Sequence, residues 1–436
     1  MIFKTVSFAL LLVATSAIST SAIAQKHSKK PALRASAPSA PQGSAAYASR
    51  PEALLFADDL AQRRDLDREW VRQAIGQARF LPQVPRLVLP PPKGTAKNWQ
   101  AYRARFIEPV RIRAGVRFWQ EHAETLARAE RDYGVPAEII VGILGVETLY
   151  GQHMGNFRVM DVLATLAFDF PSAHPRAAER TAFFRRELEQ FLSLMHRTNT
   201  DPFTPRGSFA GAMGWPQFMP SSWVRHAVDF DGDGRVDLFG SPQDAIGSVA
   251  NYFIGHGWQP GMPTHFEVRL EGTPAQQDEL LAPDILPTFS AASMQARGAV
   301  LGETGARHPG PLALVELQNG NESPSYVAGT ENFYAVTRYN WSSYYAMAVI
   351  ELGREVAAAR SAALPSSPTS GLSDVTWKMP RSTAGSTSLS VEASARSGSL
   401  ADDEKTPAMN ARRLATPRPS ERLTRCAGWC VLAGSR

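Results

Sequence analysis

Cysteine is almost absent from these 436 residues: Cys426 and Cys430, in RCAGWC near the C-terminus, are the only two. A disulfide framework is therefore excluded as the source of stability for the bulk of the chain, and a bridge over so short a loop would constrain little of it. Long apolar runs are missing as well. Beyond the N-terminal stretch no run approaches the roughly 18 residues that a membrane-spanning helix needs, so no transmembrane segment is expected. Charge of one sign is also scarce. The net charge is +5, and it is concentrated between Ala411 and Arg436, where six arginines face one glutamate. The rest of the chain is close to neutral, which gives no footing for a nucleic-acid partner. There is no internal repeat. With 44% apolar and 20% charged residues, what remains is an ordinary globular composition with enough length for a sizeable core.

The first residues, MIFKTVSFALLLVATSAISTSAIA, carry one Lys, an apolar run and small residues at Ala22 and Ala24. They read as a cleaved signal peptide over residues 1–24. No Cys stands near that junction to accept a lipid, so the expected product is soluble and periplasmic. Residues 25–50, rich in Ala, Ser, Pro and Lys, read as a disordered linker. Helical signals then open at Pro51, with Leu55, Phe56 and Leu60 on one face, and continue in DLDREWVRQAIGQARFL. VPRLVLPPP, from Val84, reads as extended. One long helix is predicted from Pro109 until Gly134 stops it, and another over Phe183 to Arg197. From about residue 262 to 332 the pattern changes to short strands, HFEVRL and ALVELQ, suggesting a small inserted β part. Phe333 to Ala359 reads as a strand or turn followed by a closing helix. Residues 360–436, poor in aromatics and ending in the arginine cluster, read as a disordered basic tail. The expected fold class is α+β, predominantly α, with one folded unit over 51–359.

Within VPAEIIVGILGVETLYG, Val135 to Gly151, the residues Ile140, Ile143, Leu144 and Glu147 recur on one face of a helix. A carboxylate on an apolar stripe loses water, which raises its pKa and suits a proton donor. The alternative is a buried structural glutamate. Gly142 and Gly145 cost a helix about 1 kcal/mol each relative to Ala, and their bareness admits close approach of another backbone or a ligand. GSFAGAMGWPQFMPSSW, Gly207 to Trp223, breaks a series of large apolar residues with Gly and Pro; such a loop lines a site or fills a core.

Asp229, Asp231, Asp233, Gly234 and Asp237 fall at positions 1, 3, 5, 6 and 9 of an EF-hand-like loop, with the carbonyl of Arg235 at position 7. Gly240 stands where the twelfth-position Glu belongs. Asp244, a plausible N-cap of the next helix, is the candidate for the missing carboxylate. Calcium is the expected ion, and an Asx-turn loop without metal is the alternative. Glycosidases normally need two carboxylates, yet Asp161 is the only other acid close after Glu147 in sequence. The partner is then distant, or the substrate supplies the second group.

GVPAEIIVGILGVETLYG, GSFAGAMGWPQFMPSSW, the acidic loop with DAIGSVANYF and HGW, and YAVTRYNWSSYYAMAV follow one another in the order of the lytic murein transglycosylase B family, which the chain resembles from about residue 98 to 359. The resemblance implies a lysozyme-like helical core with an N-terminal helical part and a small β insertion. It implies Glu147 as the single acid/base, with Ser208, Gln217, Phe218, Tyr252, Tyr339, Asn340 and Tyr345 along the sugar cleft. Asp229, Asp231, Asp233 and Asp244 match the family's calcium loop. The implied partner is the peptidoglycan glycan strand, and a cell-wall enzyme complex is a compatible further partner. The implied reaction is cleavage of the β-1,4 bond between N-acetylmuramic acid and N-acetylglucosamine without water. A hydrolytic muramidase and a non-catalytic wall-binding protein are the alternatives. Aromatic faces for pyranose rings, with amide and hydroxyl groups for N-acetyl and hydroxyl substituents, suit such a substrate.

Overall fold

Apolar residues on every side of a helix leave it no solvent face, and Ala137–Thr148 is such a helix: all but Glu138 of its residues are buried. The single apolar stripe expected of it is thus a complete apolar jacket, and the helix forms the axis of the main core. The computed structural model that shows this describes residues 47–90 and 97–363. The signal segment, most of the linker, the basic tail and both cysteines lie outside the described residues.

The closing helix, Ser343–Ala363, crosses the central one at a distance only glycine permits. A Cβ on Gly142 would stand 2.2 Å from the carbonyl oxygen of Val349, and one on Gly353 would stand 2.1 Å from that of Glu138. Helices Pro109–Glu121, Ala123–Tyr133 and Pro242–Gly255 complete this layer. The expected long helix is therefore two, broken at His122, whose backbone leaves the helical region (φ −115°, ψ 27°). Gly134 (φ 65°) does end the second.

A second helical cluster gathers Pro51–Arg64, Arg68–Gln77, Val159–Phe168 and Ala177–Arg197 around its own core. Of the residues placed on one face, Leu60 is fully buried while Leu55 is 70% exposed. Folded structure begins before Pro51: Tyr47 is fully buried and donates to Asp169 at 2.7 Å, and Arg50 pairs with the same carboxylate at 2.8 Å. Val84–Leu87 is one helical turn and not extended, with Pro85 in the first turn where it costs no hydrogen bond.

The inserted part is a four-stranded antiparallel sheet in the order Ala299–Leu301, His265–Leu270, Glu322–Gly329, Ala313–Asn319. Both expected strands are present, and three short helices between Pro274 and Ala306 accompany them. The sheet is tied to the helical body where Gly320 N–H donates to the Lys97 carbonyl at 2.9 Å and Asn98 bridges Asn319. Glu331–Tyr339 is helical, where a strand or turn was expected. Thr330 caps it, its hydroxyl accepting from the amides of Asn332 and Phe333, a cap of the kind worth about 1 kcal/mol. Among the described residues no helix is long and apolar enough to cross a membrane.

Candidate active site

Glu147 occupies the last turn of the central helix and is 2% exposed. Directly after it the chain turns sharply: Leu149 (φ 50°) and Tyr150 (φ 56°) both adopt left-handed backbone without being glycine, a conformation that persists only where the surroundings enforce it. Two contacts do so. The Thr148 hydroxyl donates to the Trp215 carbonyl at 3.0 Å and accepts from the Gly151 amide at 3.0 Å. Gly151 (φ 80°) lies flat on the Trp215 indole, where a Cβ would stand 2.6 Å from the ring. The helix end is thereby fastened to the irregular Gly207 to Trp223 segment.

Tyr345, fully buried on the first turns of the closing helix, donates its hydroxyl to Glu147 Oε1 at 2.5 Å. From there an aromatic wall continues. The Tyr339 ring stacks 6.3 Å from Tyr345 and lies tilted 4.6 Å from Tyr252, and Phe218 lies 5.9 Å from Tyr339 and 5.5 Å from Tyr252. The phenols are held by backbone: Tyr339 donates to the Pro216 carbonyl and Tyr252 to that of Arg338, each at 2.7 Å. Gln217 is buried in left-handed backbone (φ 50°), and its Nε2 donates to the carbonyls of Gly214 at 2.9 Å and Met154 at 3.1 Å. Its Oε1 is buried with no donor, an arrangement that costs about 1–3 kcal/mol. Ser208 is buried but turned into its own loop, its hydroxyl accepting from the amides of Ala212 and Ala210. Asn340 ends the Glu331–Tyr339 helix in extended backbone, at the edge of burial. Asp161 is committed elsewhere: both its oxygens bind the Arg158 guanidinium and one accepts the Arg79 amide.

The acidic loop closes on three carboxylates. Oxygen atoms of Asp229, Asp231 and Asp244 all lie within 4.8 Å of one another. An all-oxygen, carboxylate-rich donor set fits a hard cation such as calcium. Asp244 is not the N-cap; Ser241 is, and the Asp244 carboxylate accepts the amides of Phe230, Asp231 and Asp237 across the loop. Asp233 stands outside the group, its carboxylate accepting the Arg235 amide at 2.8 Å and facing the Arg235 guanidinium. The same loop holds Trp215, whose amide donates to Leu238 O at 2.9 Å and whose indole N–H donates to Phe239 O at 3.1 Å.

The transglycosylase SLT domain matches residues 49–354. Over 335 residues, 72% of this chain and 85% of the relative, the chain is 39% identical to membrane-bound lytic murein transglycosylase B of Escherichia coli. Among solved structures, soluble lytic transglycosylase SltB1 from Pseudomonas aeruginosa is 41% identical, with 71% of this chain and 100% of that one covered at a TM-score of 0.64. Escherichia coli lytic transglycosylase Slt35 in complex with calcium is 40% identical, with 72% and 96% covered at 0.62. The chain belongs to the transglycosylase SLT family. It is a lytic murein transglycosylase enzyme of lysozyme-like α+β fold, as the four ordered motifs led one to expect.

Residues of this transglycosylase that the motif reading passed over are those that hold the wall from behind. Thr148 and Trp215 are two. His226 and His256 are others: the His256 ring stacks 4.0 Å from Tyr252, and His226 lies 5.1 Å from Tyr252 and 5.0 Å from His256. Their signal, a histidine beside an aromatic at helical spacing, is too common to single out. Burial first, then the neighbouring His256 and Arg225, push the His226 imidazole down to about 4. Its unfolded value is about 6.5, so the unfolded chain binds the extra proton. Stability from this group is complete above pH 6.5 and is lost as pH falls from 6.5 towards 4. After discounting for partial exposure the loss is on the order of 1 kcal/mol. A melting series from pH 7 to 4.5 should show this acid-side decline, and His226→Gln should flatten it; an equally steep decline in that variant would assign the effect to other groups.

Proposed function

We propose that Glu147 alone supplies acid and base for cleaving the β-1,4 bond between N-acetylmuramic acid and N-acetylglucosamine, leaving 1,6-anhydromuramic ends. The observation that carries this reading is a buried glutamate, hydrogen-bonded to Tyr345, at the head of an aromatic wall. In the first half Glu147 gives its proton to the glycosidic oxygen as the bond to C1 breaks, while the sugar's own N-acetyl oxygen shields the cation at C1. In the second half the ionised carboxylate takes the proton of the C6 hydroxyl, whose oxygen bonds to C1 and closes the ring. The N-acetyl oxygen is released and Glu147 is protonated again. The Tyr345 hydroxyl fixes the carboxyl group throughout and, as a donor, favours its ionised form between the two halves. Ser208, Gln217, Phe218, Tyr252, Tyr339 and Asn340 are assigned to sugar binding. Zymography on murein with mass analysis of the released sugars tests the assignment. Neither hydrolysis nor binding without catalysis is favoured.

Calcium is assigned a structural part. Asp229, Asp231 and Asp244 would hold it, with Asp233 and the Arg235 carbonyl as the remaining loop candidates, and it would supply charge compensation for the carboxylates. The ion takes no part in proton transfer. Through the Leu238 and Phe239 carbonyls the loop backs Trp215, so a filled loop would steady the Glu147 turn. At 100 times its dissociation constant an ion that binds only the folded state stabilises by about 2.7 kcal/mol. Melting should therefore occur at higher temperature with calcium than with chelator, and Asp231→Asn should abolish the difference. An unchanged melt of the native protein would refute the site. The signal-like N-terminus and the wall substrate support a periplasmic location; fractionation of producing cells checks this.

A further inference from the structure

We propose that Thr148 is a positioning residue for the reaction: its hydroxyl locks the turn that follows Glu147 onto Trp215 and so governs turnover without touching the glycan. This rests on the reading of Glu147 as acid and base. Leu149 (φ 50°) and Tyr150 (φ 56°) are consecutive left-handed residues that carry side chains, and each is sterically disfavoured there. Glycines would make the same turn without that cost but would leave it free to reorient. Tyr150 is buried, with its ring stacked 5.2 Å from Phe118, so the turn has few alternatives to choose among. The bonds that close it decide the choice. Thr148 is 1% exposed, and its hydroxyl accepts the Gly151 amide at 3.0 Å within the turn. The same hydroxyl donates to the Trp215 carbonyl at 3.0 Å, with the Leu144 carbonyl of its own helix farther off at 3.4 Å. Trp215 is anchored in turn by the Leu238 and Phe239 carbonyls.

Glu147 and Thr148 are adjacent on the last turn of the central helix, so a turn that relaxes carries the Glu147 backbone with it. Tyr345 grips Oε1 at 2.5 Å, but one bond to one oxygen leaves the carboxyl group able to pivot about it. The backbone has to fix the remaining freedom. Giving a proton to the glycosidic oxygen and then taking one from the C6 hydroxyl requires a single carboxyl group to be in reach of two atoms, and a misplacement of about 1 Å can cost about 100-fold in rate. Buried Thr148 has no surface to offer a sugar, and glycan binding is assigned to the wall of Phe218, Tyr252 and Tyr339. The two segments are also tied a second time, where Gln217 Nε2 donates to the Met154 carbonyl at 3.1 Å. Loss of the Thr148 bond should therefore relax the turn while the segments stay together.

The test compares Thr148→Val, which keeps the shape of the side chain and removes its hydrogen bonds, with Thr148→Ser, which keeps the hydroxyl. Turnover of purified murein is measured in the full chain well below the melting temperature of each variant. Affinity for isolated glycan strands is measured in the Glu147→Gln background, with and without Thr148→Val, so that the strand stays intact. Thr148→Val should lower kcat about 10- to 100-fold and change strand affinity by less than about threefold, whereas Thr148→Ser should restore kcat to within about threefold of native. Should Thr148→Val not fold, Trp215→Phe decides: it keeps the Trp215 carbonyl but removes the indole bond to Phe239, and kcat should fall about three- to tenfold at retained affinity. A native kcat in the variant that is read, an equal loss in Thr148→Ser, or affinity falling in step with kcat would overturn the proposal. Failure of the Glu147 reading shows differently, as turnover that survives Glu147→Gln.

Discussion

Glu147→Gln is expected to fold, to bind murein glycan and to lose cleavage by about 10³-fold or more, since the proposed mechanism assigns both proton transfers to this one residue and each is worth roughly 10²–10⁴. The amide preserves the shape of the side chain and still accepts the Tyr345 hydroxyl now 2.5 Å from Oε1, so a loss of folding is not expected. Tyr345→Phe gives the graded comparison. Removing a hydrogen bond to a charged group costs about 1.5–3 kcal/mol, so turnover should fall roughly 10- to 100-fold with products unchanged. The native products carry the mechanism. When the C6 hydroxyl of the same sugar captures C1, an effective molarity of about 10⁵ M or more favours ring closure over attack by water, and each released strand ends in 1,6-anhydro-N-acetylmuramic acid, one water lighter than a hydrolysis product and without a reducing end. Reducing ends from the native protein, or substantial turnover by Glu147→Gln, would show the chemistry to be misassigned.

Residues whose roles depend on short-range pattern were legible from sequence, and those whose roles depend on distant partners were not. The central helix announces itself through Ile140, Ile143, Leu144 and Glu147. That it is buried on every side follows only when Gly142 and Gly353 bring the closing helix against it. The wall of Phe218, Tyr252, Tyr339 and Tyr345 could be named through ordered motifs, yet no spacing shows that Tyr345 reaches across 198 positions to Glu147. Likewise the break at His122 carries no Gly or Pro to mark it, and Tyr47 looks like linker until Asp169 supplies its partner. In the acidic loop the alternation of Asp suggested a metal, but the carboxylate of Asp244 gathers three loop amides, a task that helix-capping preference does not foretell. Thr330 could have been read: a threonine just before ENFYAV is an N-cap signal, and it marks the helix that carries Tyr339.

Gly142→Ala should be destabilising, although Ala is the better helix former by about 1 kcal/mol. The propensity gain is local, whereas the added Cβ would lie 2.2 Å from the Val349 carbonyl oxygen and 3.0 Å from its carbon, both backbone atoms of a buried helix. Neither can rotate away as a side chain could. The two helices must separate, and overpacking of this kind costs about 1–3 kcal/mol and occasionally more. The clash therefore wins, for a net loss of about 2 kcal/mol, read as a lower midpoint in denaturant at unchanged slope. Activity should suffer beyond what stability explains, because Glu147 and Tyr345 ride on the two helices being parted and a hydrogen bond of 2.5 Å cannot follow an outward shift without weakening. At a temperature where the variant remains folded, turnover should fall while glycan affinity, assigned above to the wall of Phe218, Tyr252 and Tyr339, changes less. A variant as stable as the native protein would mean that the crossing adjusts without cost, and Gly142 would then be explained by helix packing no more than by chance.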